Sequence, residues 1–209
     1  DHPHVVGAVD FGEDPQFGWY LVTELVDGVR FDEALRAHPE WWTIAFEQLL
    51  DALHHAHEQG VLHRDLKPDN ILVDLRDDGP FVKILDFGLA KALYEADDGL
   101  TQQGTIFGTP RYMSPEQAGG EPASAASDLY AVGVMLYQVV EGCVPFDGGS
   151  AAEVLTKHLT QEVPALVSGP DSYWPVLQCA LQKDPKDRFR DARTFADALR
   201  SEEHTSELQ

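Results

Sequence analysis

The sequence predicts an α+β fold, with short strands confined to about the first 85 residues and helices following. Three observations carry this reading. Runs rich in aromatic and β-branched residues occur at 5–11, 19–23, 71–73 and 81–85. Apolar residues recur at helical spacing over 41–59 and in four stretches beyond residue 124. Turn-forming residues separate these runs.

Taken in order, the first third reads strand, strand, helix, helix. Between the strands predicted at 5–11 and 19–23, Gly12-Glu13-Asp14-Pro15 is turn chemistry. Two strands alone are marginal, so their partners are expected outside this sequence. On the helix over 41–59, Trp41, Ala45, Leu49, Ala52 and Ala56 share one face, and Gly60 stops it. The runs at 71–73 and 81–85 are each flanked by charged or turn residues. A loop-like stretch over 93–110 precedes helices predicted at about 125–141, 151–160, 173–182 and 192–200.

The 209 residues suit one domain, or one large lobe with part of another. No apolar run approaches the ~18 residues of a membrane span. The balance of 15 basic against 36 acidic residues argues against a nucleic-acid partner and would attract basic peptides. Cys143 and Cys179 form no disulfide framework and read as small core residues in a reducing, cytoplasmic setting. His54, His55 and His57 crowd a helix end, where imidazoles suit the dipole, and lack a fourth metal ligand. Trp41-Trp42 reads as core.

The chemistry concentrates in His63-Arg64-Asp65-Leu66-Lys67-Pro68-Asp69-Asn70 and in Asp86-Phe87-Gly88. Phosphoryl transfer needs an acceptor for the attacking hydroxyl's proton, metal ligands, and positive charge on the transferred group. Asp65 is the candidate base. Asn70 and Asp86 offer hard oxygen ligands suited to Mg²⁺ or Mn²⁺. Lys67 can reach the γ-phosphate, and Pro68 with the flanking strands stiffens the loop. These motifs, in this order with a strand pair between them, resemble the eukaryotic-like protein kinase family, and in particular bacterial serine/threonine kinases. The resemblance covers nearly everything from Asp1 to Leu199.

That resemblance implies a kinase-like fold reduced mainly to its helical C-lobe. Residues 1–28 would be a remnant of the N-lobe and hinge, and 29–199 the C-lobe. The tail, 200–209, resembles the in-frame translation of a sequencing adapter and is expected to add nothing to the fold. Neither a Gly-rich turn nor the strand Lys and helix Glu of a complete kinase is present, and the chain opens at Asp1, so a fragment, itself inactive, is expected. ATP would be gripped by the gatekeeper Thr23, the hinge residues Glu24 and Val26, Leu72 and Asp86. The stretch 108–116 resembles the end of an activation segment, with Ser114 where the family usually has Ala. Thr109 would bridge Asp65 and Lys67, and Lys67-Pro68 marks Ser/Thr specificity. Thr101 and Thr105 are candidate autophosphorylation sites, in trans, read by Arg64. Structural roles fall to His63, Arg64, Phe87, Gly88, Asp128 at the central helix, and an ion pair between Glu116 and Arg188. Protein substrates carrying Ser or Thr are the implied partners, and the parent could be membrane-anchored. A pseudokinase scaffold or binding module is the alternative, although the base and metal ligands are all present. A small-molecule phosphotransferase would lack Lys67 and the 108–116 segment.

Overall fold

The structure, a computed structural model, describes residues 1–87 and 109–206 of the chain. The α+β architecture is as predicted: small sheets on the N-terminal side and a helical body after them. Strands β1 (Ala8–Asp14) and β2 (Gly18–Thr23) form an antiparallel hairpin. β1 starts three residues later than the predicted run because the turn closes after Asp14. Its Oδ1 accepts from the Gln16 and Phe17 N–H groups at 2.8 and 3.0 Å, so Gly12-Glu13 is strand rather than turn. The freed segment packs elsewhere: Ile84 N–H donates to His4 O at 2.8 Å and Val6 N–H to Ile84 O at 2.9 Å. Among the described residues the hairpin pairs only with itself, leaving Phe11 and Trp19 75% and 71% exposed.

The second sheet is antiparallel, in the order β3 (Val29–Arg30), β4 (Ile71–Arg76), β5 (Gly79–Ile84). Period-two alternation buries Ile71 and Val73 on β4 and Val82 and Ile84 on β5. β3 is too short to leave a sequence pattern. Helix α1 (Phe31–Ala37) follows it, and α2 (Trp42–Glu58), with the stripe Ala45, Leu49, Ala52 and Ala56 buried, packs on β5. Trp42 is half-buried and donates its indole N–H to Leu35 O at 2.9 Å, tying α2 to α1. Past the α2 terminus Gly60 takes φ 70°, a conformation that favours glycine.

The helical body comprises α3 (Pro115–Ala118), α4 (Ala125–Glu141), α5 (Ala151–Thr160), α6 (Trp174–Ala180) and α7 (Ala192–Ser206). α4 is its pillar: every residue from 127 to 137 is buried, so it is apolar nearly all round. At Gly133 the backbone meets α6 so closely that a Cβ would sit 2.8 Å from that of Ala180. α7 packs on α2, burying Phe195 and Leu199, and runs beyond the predicted end at 200. Its last described side chains bond locally: Arg200 to Asp197 at 2.7 Å, Ser201 Oγ to Asp197 O at 3.0 Å, and Arg200 across to Glu47 at 2.6 Å.

The cysteines depart from expectation. Cys143, two residues past the α4 terminus, is exposed, and Cys179 is half-buried with Sγ 3.9 Å from Asp187 O, so neither is a core residue. Among the described residues no helix is long and apolar enough to cross a membrane.

Candidate active site

The loop between α2 and β4 is held from three directions. From α4, the Asp128 carboxylate accepts the His63 N–H on Oδ2 and the Arg64 N–H on Oδ1, both at 2.9 Å, and the His57 ring at 2.8 Å. This carboxylate is buried, and three donors replace its lost water. From the β5 side, His63 Nε2 donates to Leu85 O at 2.9 Å while Phe87 packs edge-on against the His63 ring at 5.0 Å. Burial pushes the His63 imidazole below its ordinary pKa. From α3, Gln117 Nε2 donates to Arg64 O at 2.8 Å. Arg64 has φ 72° and Asp86 φ 58°, both in the left-handed region that non-glycine residues rarely adopt.

The expected base and its neighbours converge. Asp65 Oδ2 accepts from Lys67 Nζ at 2.6 Å, and Asn70 Nδ2 donates to Asp65 O at 2.8 Å. Asn70 O in turn accepts the Leu85 N–H at 2.8 Å, placing Asp86 one residue away. With its nitrogen committed, Asn70 presents its side-chain oxygen for a cation, and Asp86 is exposed beside it. Two oxygen donors of this kind fit a hard divalent ion that keeps several waters. Among the described residues no cluster of three His, Cys, Asp or Glu side chains could hold a metal alone.

Thr109 meets Asp65 through its backbone: its N–H lies 3.4 Å from Asp65 Oδ1. At the expected hinge, Thr23 pairs with Ala8 at the hairpin's open end. Glu24 turns its carboxylate onto the Gly7 N–H at 3.0 Å and Lys83 Nζ at 2.6 Å. Val26 is half-buried, as is Leu72, which pairs with Arg30 and Lys83 in the second sheet. Thr101, Thr105 and Gly88 lie outside the described residues.

Glu116 and Arg188 form a fork–fork pair at 2.7 and 2.9 Å, their side chains 6% and 0% exposed. Ser127 Oγ donates to Glu116 Oε1 at 2.6 Å, and Arg188 also donates to Ala126 O, Gln182 O and Lys183 O. Every guanidinium N–H is thereby used. Sequence reasoning missed two contributors. His57 had looked like a dipole partner only, and Gln117 follows a recognised motif by one residue but contacts a loop 53 positions away.

The chain belongs to the protein kinase domain family, whose pattern matches residues 1–201. It is similar to the serine/threonine-protein kinase pkn3 of Myxococcus xanthus, 42% identical over 96% of this chain and 39% of that protein. It is also similar to PrkC of Bacillus subtilis, 36% identical over 100% of this chain and 34% of that one. PknA of Mycobacterium tuberculosis is 39% identical over 95% of this chain and 47% of that protein. The chain therefore spans less than half the length of each of these curated relatives.

Proposed function

We propose that the protein transfers the γ-phosphoryl group of ATP to Ser or Thr hydroxyls of other proteins. The observation that carries this reading is the convergence of Asp65, Lys67 and Asn70 on one loop braced by buried Asp128. Asp65 would accept the proton of the attacking hydroxyl, with Lys67 Nζ, now on its Oδ2, neutralising charge at the same spot. Asn70 and Asp86 would hold Mg²⁺ or Mn²⁺, which when bound spreads the negative charge of the phosphates. Thr23, Glu24, Val26 and Leu72 would line the adenine side. Relatives named serine/threonine-protein kinases support hydroxyl rather than phenol as acceptor. The excess of acidic residues, 36 against 15 basic, would favour basic stretches around the acceptor.

The full-length protein incubated with Mg-ATP and a basic Ser/Thr peptide should yield phosphoserine or phosphothreonine. Asp65→Asn should lower kcat by about 10² or more, the typical worth of a positioned base. Phosphotyrosine as the main product, or undiminished turnover in Asp65→Asn, would refute the reading.

A further inference from the structure

We propose that Gln117 is a positioning residue that holds the catalytic loop in its strained form, through the carbonyl of Arg64. The inference rests on the kinase reading above and adds a residue to it. Arg64 directly precedes the proposed base and sits at φ 72°. A non-glycine residue there costs free energy and persists only where its surroundings over-determine it. Arg64 is only half-buried, and a small cleft lined by Arg64, Asp65, Thr109 and Gln117 borders it, so close packing does not enclose it on every side. Hydrogen bonds hold it instead. Asp128 Oδ1 accepts the Arg64 N–H at 2.9 Å, and Gln117 Nε2 donates to the Arg64 C=O at 2.8 Å. The residue is gripped at both ends, from two different helices.

The orientation of the Gln117 amide is itself set by sequence. Ser114 caps α3 and forms a reciprocal box with Gln117: the Gln117 N–H donates to Ser114 Oγ at 3.4 Å. Gln117 Oε1 receives both the Ser114 N–H at 3.2 Å and the Ser114 O–H at 3.1 Å. With its oxygen doubly engaged, the amide must present Nε2 to Arg64. Alanine at 114 would remove one of the two donors that hold Oε1, together with the hydroxyl that accepts the Gln117 N–H. The same short helix carries Glu116, anchored on buried Arg188. Docking of the 109–118 segment is thereby communicated to the backbone of Arg64 and so to Asp65.

Gln117→Met keeps the volume and removes the donor; Gln117→Glu keeps the shape and turns an acceptor toward the carbonyl. In the full-length protein both should lower kcat about tenfold or more, leave KM for ATP within about twofold, and leave the melting temperature nearly unchanged. Ser114→Ala should move kcat in the same direction by less. Residue-resolved hydrogen exchange should quicken about tenfold at the His63 and Arg64 amides, with β4 and β5 unaffected. A fully active Gln117→Met enzyme would overturn the proposal. So would a drop in melting temperature with exchange accelerated uniformly, which would mark Gln117 as merely structural. If the wild-type protein transfers no phosphate, the kinase reading falls. The exchange measurement then decides the positioning role alone.

Discussion

Replacing Arg188 by Ala tests the most heavily invested interaction in the helical body. The guanidinium is fully buried and makes two bonds to Glu116 and three to backbone carbonyls. Removing one member of a buried pair costs about 3–5 kcal/mol, because the other charge remains without compensation. The carbonyls of Ala126, Gln182 and Lys183 lose a donor as well, so about 5 kcal/mol is expected for the whole. That is a large share of the roughly 5–15 kcal/mol available to a domain and corresponds to a melting temperature lower by about 10–20 °C. Arg188→Lys keeps the charge without the fork and should lose about half as much. The pH dependence supplies a sign. Burial pushes the Glu116 carboxyl up, but the bonds from Arg188 and Ser127 outweigh it and hold the group below its ordinary pKa. In the wild type this contribution is present above the ordinary carboxylate range and lost as pH falls through the depressed value. In Arg188→Ala the same carboxyl, buried without its cation, should titrate above the ordinary range. The variant should then gain on the wild type between pH 7 and 5. Urea denaturation at both pH values measures this. A loss under about 1 kcal/mol, or a variant whose deficit against the wild type does not shrink between pH 7 and 5, would refute the reasoning.

Three further outcomes are expected. Gly133→Ala should destabilise by about 1–3 kcal/mol in urea titrations despite the better helix propensity of Ala, because the new Cβ would lie 2.8 Å from Ala180 Cβ; a more stable variant would contradict the close helix approach. His158, 0% exposed, is pushed down to about 4 by burial and by the charge of Lys183. Its contribution is complete above the ordinary value of 6.5 and fades as pH falls toward 4, a change of about 3 kcal/mol, and His158→Gln should flatten that slope in the pH dependence of the urea midpoint. Incubation of the full-length protein with ATP should phosphorylate Thr101 or Thr105, read by peptide mass spectrometry, and alanine at both should lower activity; an active kinase with both unmodified would exclude it.

What the residues alone disclose follows the range of the interactions; the distant pair of Glu116 with Arg188 was legible only through the family resemblance. The residues 63–70 announced their chemistry because base, lysine and amide ligand fall within eight contiguous positions, whatever distant groups later fix their geometry. α4 was legible to the residue, since Ser124 caps it, Gly142 at φ 84° ends it, and apolar side chains fill it. β1 was displaced because an Asx turn at Asp14 competes with a Gly12 that looks like a turn. Thr109 is expected to bridge Asp65 and Lys67; it meets Asp65 through its backbone N–H, and backbone donors leave no trace in residue type. Gln117 and His57 escaped notice for the reverse reason: their partners lie 53 and 71 positions away, and nothing in either neighbourhood signals the meeting.

The pairing of Glu116 with Arg188 also imposes a schedule on synthesis. The two residues are 72 positions apart. At roughly 5–20 residues per second, a ribosome needs about 4–14 s to deliver the guanidinium after the carboxylate has been made. For much of that interval, from Glu141 until Ala180 is made, α4, apolar on nearly every side, lacks the α6 surface that packs on it. A nascent chain in this window exposes a long greasy helix beside an uncompensated acid, which is the condition in which holding chaperones bind. Codons slowed between residues 141 and 188 would lengthen the exposure, and the proportion of aggregated product in a cell-free translation should rise with the delay.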